Sequence, residues 1–196
     1  MNENNLNPSE TKLQMAQALK RLIKDRPFSK ITVQDIVTEC NINRNTFYYH
    51  FENNYDLLSF AYEQEVQNIT VAFRTANANL PDGMDYVLDY IDGNIQLCQC
   101  AYESLGEQQL KIIFEKDLRV FVRALIDYFA EESSKEFSED FKTFVAYGYT
   151  NLLSAQIIWY IKHNNDLDKE IFRQNLQIFF TTSLKSVMAE AAKKGF

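Results

Sequence analysis

Residues 31–58 read ITVQDIVTECNINRNTFYYHFENNYDLL, and the way this stretch starts and stops its helices decides the fold. Thr32 is a good helix N-cap, and Asp35, three residues on, is a short version of the capping-box partner. Val33, Ile36 and Val37 make one apolar face of a helix of about two turns. Cys40-Asn41-Ile42 breaks that pattern, and Asn41 tolerates the left-handed conformation of a sharp helix exit. Asn43 then caps a short helix from Arg44 to about Phe51, with Phe47 and Phe51 on its inner face at i, i+4. Two helices joined by so short a turn form a helix-turn-helix over about 32–51.

Upstream, Leu13, Ala16, Leu19, Leu22 and Ile23 recur at helical spacing from about Ser9 to Asp25, where Pro27 ends the run. Phe28 and Ile31 can close over a small core. Downstream, Asn53 or Asn54 caps a helix carrying Leu57, Leu58, Ala61, Tyr62, Val66, Ile69 and Phe73. Residues 77–83 (NANLPDG) are the clearest break, and helices follow at about 84–104, 107–132, 138–163 and 168–192. Residues 1–8 are polar, without periodicity, and expected to fray. Only five Gly and three Pro occur in 196 residues, too little punctuation for many tight turns. The fold class predicted is all-α: a three-helix unit over 9–55 and a larger helical domain over 56–196.

The formal charge is −7, which taken whole argues against a nucleic-acid partner. Its distribution argues otherwise. Residues 11–54 hold seven cations (Lys12, Lys20, Arg21, Lys24, Arg26, Lys30, Arg44) against Asp25, Asp35, Glu39 and Glu52, a balance of +3, while residues 61–196 balance at −7. Such asymmetry is a hint of a nucleic-acid-binding end, although an ordinary solvated helical surface can produce it too. No run is apolar enough for a membrane span or signal core, so a cytoplasmic protein is expected. Cys40, Cys98 and Cys100 do not form a disulfide framework; they read as buried thiols, with a metal or redox role for Cys98-x-Cys100 as the alternative. His50 and His163 lack paired-ligand spacing, and His163 reads as a structural helix end. No metal, cofactor or catalytic motif is present in the sequence, so no enzyme is expected.

The chemistry concentrated at residues 43–50 suits the major groove of DNA. Asn43, Arg44, Asn45 and Thr46 carry hydrogen-bonding groups at the N-terminal end of a short helix, the end that meets base edges. Arg pairs bidentately with guanine and Asn with adenine. Tyr48, Tyr49 and His50 suit phosphate oxygens, which position a protein without reading sequence. Thr32 and its helix N-terminus could hold a further phosphate. Tyr48 could instead pack in the core, and His50 could instead satisfy a local carbonyl.

The run T-V-x-D-I-V … N-I-N-R-N-T-F-Y-Y-H-F-x-x-x-Y-D-L-L resembles the TetR/AcrR family of bacterial transcription regulators over about residues 10–60. Its F-Y-Y-H-F … Y-D-L variant is similar to a subgroup that includes dihydroxyacetone-kinase operon regulators. The resemblance implies contacts to double-stranded DNA from Thr32, Asn43, Arg44, Asn45, Thr46, Tyr48, Tyr49, His50 and Asn54. Three departures bear on this. Asn41 replaces the usual turn Gly, Asn45 occupies a position that is often small, and Asn54 stands where the family usually has a phosphate-contacting Lys, so DNA affinity is expected either to be modest or to rely on Lys12, Lys30 and the preceding loop. The resemblance further implies that residues 56–196 form a regulatory and dimerisation domain, holding a small-molecule or protein effector. Candidate pocket residues are Tyr86, Tyr90, Tyr102, Phe114 and Phe121. Candidate homodimer contacts are Phe144, Gly148, Leu152, Ala155, Phe172, Phe179 and Phe180. A two-fold dimer of this kind would space its recognition helices roughly 34–40 Å apart on a near-palindromic operator, commonly as a repressor.

Overall fold

The computed structural model of the chain describes residues 8–75, 83–133 and 135–195. Every regular element among them is helical: α1 (Pro8–Asp25), a 3-10 turn (Phe28–Lys30), α2 (Val33–Cys40), α3 (Arg44–His50), α4 (Asn54–Thr75), α5 (Gly83–Gly93), α6 (Ile95–Ser133), α7 (Glu139–His163), α8 (Lys169–Gln177), a π-turn (Ile178–Thr182) and α9 (Ser183–Lys194). The all-α class therefore holds. The break predicted at 77–83 and the frayed start at 1–8 lie outside the described residues, save for Gly83 and Pro8. Pro8 opens α1 at the position where its missing N–H is no loss. Among the described residues no helix is long and apolar enough to cross a membrane.

The chain gathers into two compact units, one from Met1–Glu65 with Gln96–Gly106, the other from Val66–Ile95 with Glu107–Phe196. The first unit is thus wider than residues 9–55, because it takes the start of α4 and an eleven-residue piece of α6. Its core is built on Met15, Ala18, Leu19, Ile36, Phe47, Leu57 and Leu58, all fully buried. Leu97, Cys98, Cys100 and Ala101 from the α6 piece are buried too. Cys98 lies against the Tyr62 hydroxyl, and its burial pushes the thiol up to about 12. Burial likewise pushes Cys40 and Cys100 up to about 11. These are packed, inert thiols, which agrees with the plain reading of Cys98-x-Cys100.

In the second unit the helix predicted over 84–104 is interrupted. The Asn94 N–H is shared by the Tyr90 and Ile91 carbonyls, and its side-chain amide returns to the Tyr90 carbonyl at 3.0 Å. A second interruption falls where expected, inside α6 at Gly106, with φ 81°. A Cβ there would meet nothing within 4 Å, so the left-handed backbone rather than space calls for glycine. Ser138 caps α7 and Asp168 caps α8, each accepting from the backbone N–H three residues on.

The run predicted as one helix over 168–192 carries the π-turn. Phe172, Leu176, Phe180, Leu184 and Met188 are buried at strict four-residue steps. An α-helix turns every 3.6 residues, so such steps drift off one face. The wider π-turn absorbs part of that drift and keeps the row pointing inward. Asp92 joins α5 to α7 and α8 within this unit. It accepts from the Tyr160 hydroxyl at 2.8 Å, the Asn164 amide at 3.1 Å, the Lys169 ammonium at 2.7 Å and the Arg173 guanidinium at 3.1 Å.

Candidate nucleic-acid interface

The helix-turn-helix is held by local bonds, with one tie from α1, where the Gln14 amide donates to the Cys40 carbonyl at 3.1 Å. Thr32 accepts from the Asp35 N–H at 3.2 Å, while the Asp35 carboxylate accepts from the Thr32 N–H at 2.8 Å, completing the capping box. Those bonds from Thr32, with a lesser contribution from Arg26, hold the Asp35 carboxyl below its ordinary pKa. Asn41 takes the left-handed conformation at φ 52°, ψ 44°. Its N–H reaches the Thr38 carbonyl, and the next N–H, of Ile42, reaches Val37 at 3.0 Å, the Schellman closure. Asn43 caps α3, its Oδ1 accepting from the Thr46 N–H at 2.8 Å and the Thr46 hydroxyl at 3.1 Å.

α3 is then presented by one buried ring. Phe47 is fully buried and contacts Phe51, itself buried, at 6.0 Å between centroids. On the other side Arg44 and Asn45 are exposed, Tyr48 is 51% exposed and Tyr49 78%. Exposure settles Tyr48 as an outward residue rather than a core aromatic. Arg44 Nη2 lies 3.5 Å from the Tyr48 hydroxyl, so the two form one polar edge. The half-exposed His50 stands edge-on to Tyr49, ring centroids 4.8 Å apart. Partial burial, and then the charge of Lys12, hold His50 below its ordinary pKa, so α3 carries a neutral imidazole at pH 7. Asn43 and Thr46 spend oxygen atoms on the cap, and Thr32 on the capping box. Asn43 keeps its amide N–H groups for any further partner.

Asn54 differs from the rest. It is half-buried and donates to the Ile31 carbonyl at 2.7 Å, while its Oδ1 is buried with no hydrogen-bond partner. The cap of α4 is Asn53, whose Oδ1 accepts from the N–H groups of Tyr55 at 2.8 Å and Asp56 at 3.1 Å.

The positive balance of this region is also more local than a count suggests. Lys20 pairs with Glu65 at 2.6 Å, Arg21 with Glu39 at 2.8 Å and Arg26 with Asp35 at 2.9 Å. Lys12 stands over the Phe51 and Phe60 rings at 5.5 and 5.6 Å. Lys24, Lys30 and Arg44 remain as exposed cations. Lys12 is thus half committed to packing, whereas Lys30, in the 3-10 turn just before Thr32, is open to a phosphate.

In the second unit the candidate pocket residues do not share one environment. Tyr102 belongs to the first unit, Tyr86 is 39% exposed and Phe114 is buried. Phe121 stacks on Phe180 at 6.5 Å. Tyr90 is half-buried, and its hydroxyl is buried with no hydrogen-bond partner, as is the Thr150 hydroxyl of α7. The proposed dimer residues divide as well. Phe144 is 76% exposed, Gly148 and Ala155 are exposed and Leu152 is half-buried. Phe172 and Phe180 are instead buried inside the protomer, Phe172 stacked on Tyr160 at 4.7 Å. Exposed large apolar residues that helical spacing did not single out are Tyr147 and Trp159 on α7, Ile171 on α8, and Ile178 beside Phe179 in the π-turn, each 44–65% exposed. A groove of about 380 Å³ lined by Trp159, Ile171, Phe172, Leu176 and Phe179 joins these faces. His163 closes α7, its Nδ1 2.9 Å from the Trp159 carbonyl.

Residues 17–59 match the model of the bacterial regulatory proteins of the tetR family, a span that contains the helix-turn-helix described above. The HTH-type dhaKLM operon transcriptional activator DhaS of Lactococcus lactis subsp. lactis (strain IL1403) is 37% identical over 51 residues, 26% of this chain. The chain matches about a quarter of that relative's length, 27%. A solved structure, the dihydroxyacetone kinase operon activator DhaS, superposes with a TM-score of 0.63 at 20% identity, covering 93% of this chain and 96% of that one. At that identity the likeness speaks for the fold alone. The subgroup resemblance read from F-Y-Y-H-F … Y-D-L agrees with the first of these relatives, which is named a transcriptional activator.

Proposed function

We propose that the chain is a transcription regulator that binds a near-palindromic operator as a homodimer, laying α3 in the major groove. The observation that carries this is the outward row Arg44, Asn45, Tyr48 and Tyr49, backed by buried Phe47, within a segment that matches the tetR family. Arg44 and Asn45 read base edges, Tyr48, Tyr49 and His50 engage phosphates, and Thr32 with Lys30 anchors the start of α2. Because the curated relative is named an activator of the dhaKLM operon, activation is preferred to repression here. An operator upstream of such an operon is the first to try, beside DNA upstream of the chain's own gene.

The dimer is supported by the exposed apolar face of Phe144, Tyr147, Gly148, Ala155 and Trp159 on α7 with Ile171, Ile178 and Phe179. Several large apolar side chains exposed along one helix face are what an interaction surface presents. Effector control is supported by the buried, unpartnered hydroxyls of Tyr90 and Thr150, since such groups call for a ligand or water. An effector that prefers the conformation with wrongly spaced α3 helices lowers operator affinity by linkage, and one that prefers the other raises it.

The test is fluorescence anisotropy on those DNAs at two salt concentrations, for the wild type and for Arg44→Ala and Tyr49→Phe. Specific, salt-dependent binding weakened by Arg44→Ala supports the proposal. Equally weak, non-specific binding by all three proteins would sink it. Phe144→Glu should turn a dimer into a monomer in sedimentation and weaken operator binding together; an unchanged dimer would remove α7 from the interface.

A further inference from the structure

Both polar groups of a single peptide unit, Ile31–Thr32, are held by side chains. Its carbonyl accepts from Asn54 Nδ2 at 2.7 Å, and its N–H donates to the Asp35 carboxylate at 2.8 Å. That peptide is the entry to α2, and Thr32 is the N-cap on which the first turn depends. Asp35 holds it from inside α2. Asn54 holds it from the first residue of α4. Ile31 is itself buried, and its N–H closes the 3-10 turn onto Phe28 at 2.9 Å. The Phe28 ring meets Tyr55, the neighbour of Asn54, edge-on at 5.2 Å. One hydrogen bond and one ring contact therefore set the start of α2 against the start of α4, all inside the first unit.

The same geometry argues against Asn54 as a phosphate ligand. A phosphate needs a donor, and one of the two N–H groups of this half-buried amide is spent on the Ile31 carbonyl. The acceptor end is buried and unpaired, so turning the amide would place two carbonyl oxygens face to face. We infer that Asn54 is a positioning residue for DNA binding: its amide clamps the Ile31–Thr32 peptide and thereby aims the first turn of α2, with Thr32 and Lys30, at the phosphate backbone. This rests on the DNA-binding reading above, and the experiment keeps the two apart.

Operator affinity is measured against salt for the wild type, Asn54→Ser, Asn54→Asp, Asn54→Lys, Thr32→Ala and the Asn54→Ser/Thr32→Ala double variant, with thermal unfolding of each. Asn54→Asp is isosteric but has no donor when ionised, and Asn54→Ser is the milder change if Asp unfolds the unit. The expected result is a loss of about five- to tenfold for Asn54→Ser, the size of one hydrogen bond, with the slope of log K against log salt unchanged. The double variant should lose no more than the worse single one, because both act through the same turn. A residue that only supported stability would move the melting temperature and leave that coupling at zero. Two results overturn the inference: additive losses at Asn54 and Thr32, or Asn54→Lys tightening binding and steepening the slope by about one unit, as a direct phosphate contact would. If Arg44→Ala changes nothing, the DNA-binding reading itself has failed; if Arg44→Ala weakens binding while either overturning result appears, the clamp alone is wrong.

Discussion

Removing the Asp92 carboxylate should destabilise the second unit by more than an ordinary surface ion pair would suggest. Asp92→Ala strands four donors, but unequally. Lys169 is 42% exposed on its side chain and can return to water at little cost. Arg173 keeps Asp89 at 2.8 Å and Asp85 at 3.6 Å. Tyr160 has no such escape, being 0% exposed, and a buried hydroxyl left without an acceptor costs about 1–3 kcal/mol. Adding the charge-assisted bond to Arg173, the whole loss should come to about 3 kcal/mol. Asp92→Asn keeps an acceptor for Tyr160 while facing two cations with an uncharged amide, and should lose about half as much. Urea denaturation at pH 7 reads both as a lowered midpoint at constant slope. Acid supplies a second check. Burial pushes the Asp92 carboxyl up, but hydrogen bonds from Lys169, Asn164 and Tyr160 outweigh it and hold the pKa below 3.8. The folded state therefore favours the ionised form; its contribution is complete above the ordinary carboxyl range and lost as pH falls through the depressed value. Wild type and Asp92→Ala should accordingly converge in stability in strong acid. A loss under about 1 kcal/mol at pH 7, or a gap that persists in acid, would refute the reasoning.

Three further outcomes are open to measurement. With its pKa below 6.5, His50 favours the folded state most above that value, and that stabilisation fades as pH falls through the depressed pKa; once protonated, it adds a cation to α3. The salt slope of operator binding should steepen by up to about one unit between pH 7.5 and pH 5 in the wild type but not in His50→Gln, and equal slopes would place His50 away from phosphate. Cys40, Cys98 and Cys100, raised to about 11, 12 and 11 by burial, should resist thiol reagents at pH 8 until denaturant is added; fast labelling of the folded protein would contradict their packing. Thr32→Ala should cost about 1 kcal/mol through loss of the cap, read by urea denaturation, and a neutral result would mean that Asp35 alone holds the turn.

What could be read before any coordinates were the features fixed by neighbours in sequence. The Thr32–Asp35 box, the left-handed Asn41, the Asn43 cap and the inward Phe47–Phe51 pair depend on contacts within five residues, and all are present as read. The interruption at Asn94 was missed although Gly93-Asn94 is a turn signal, because flanking apolar residues kept a helical rhythm. Phe172 and Phe180 were assigned outward because periodicity identifies a face but not which side of it is solvent, and the π-turn shifts that register partway. Asn54 drew a DNA-contact role from the resemblance. Its partner, the Ile31 carbonyl, is 23 residues away and is a backbone atom, which no residue pattern can announce.

The division of α6 at Gly106 has a consequence for protein engineering. Because the first unit borrows Gln96–Gly106 from beyond α5, it is not a contiguous cassette. A fragment ending after α4 would discard buried Leu97, Cys98, Cys100 and Ala101, uncovering the apolar flank that includes Tyr62. Grafting this unit onto another protein, or shuffling it by a single crossover, therefore means carrying two stretches of chain rather than one.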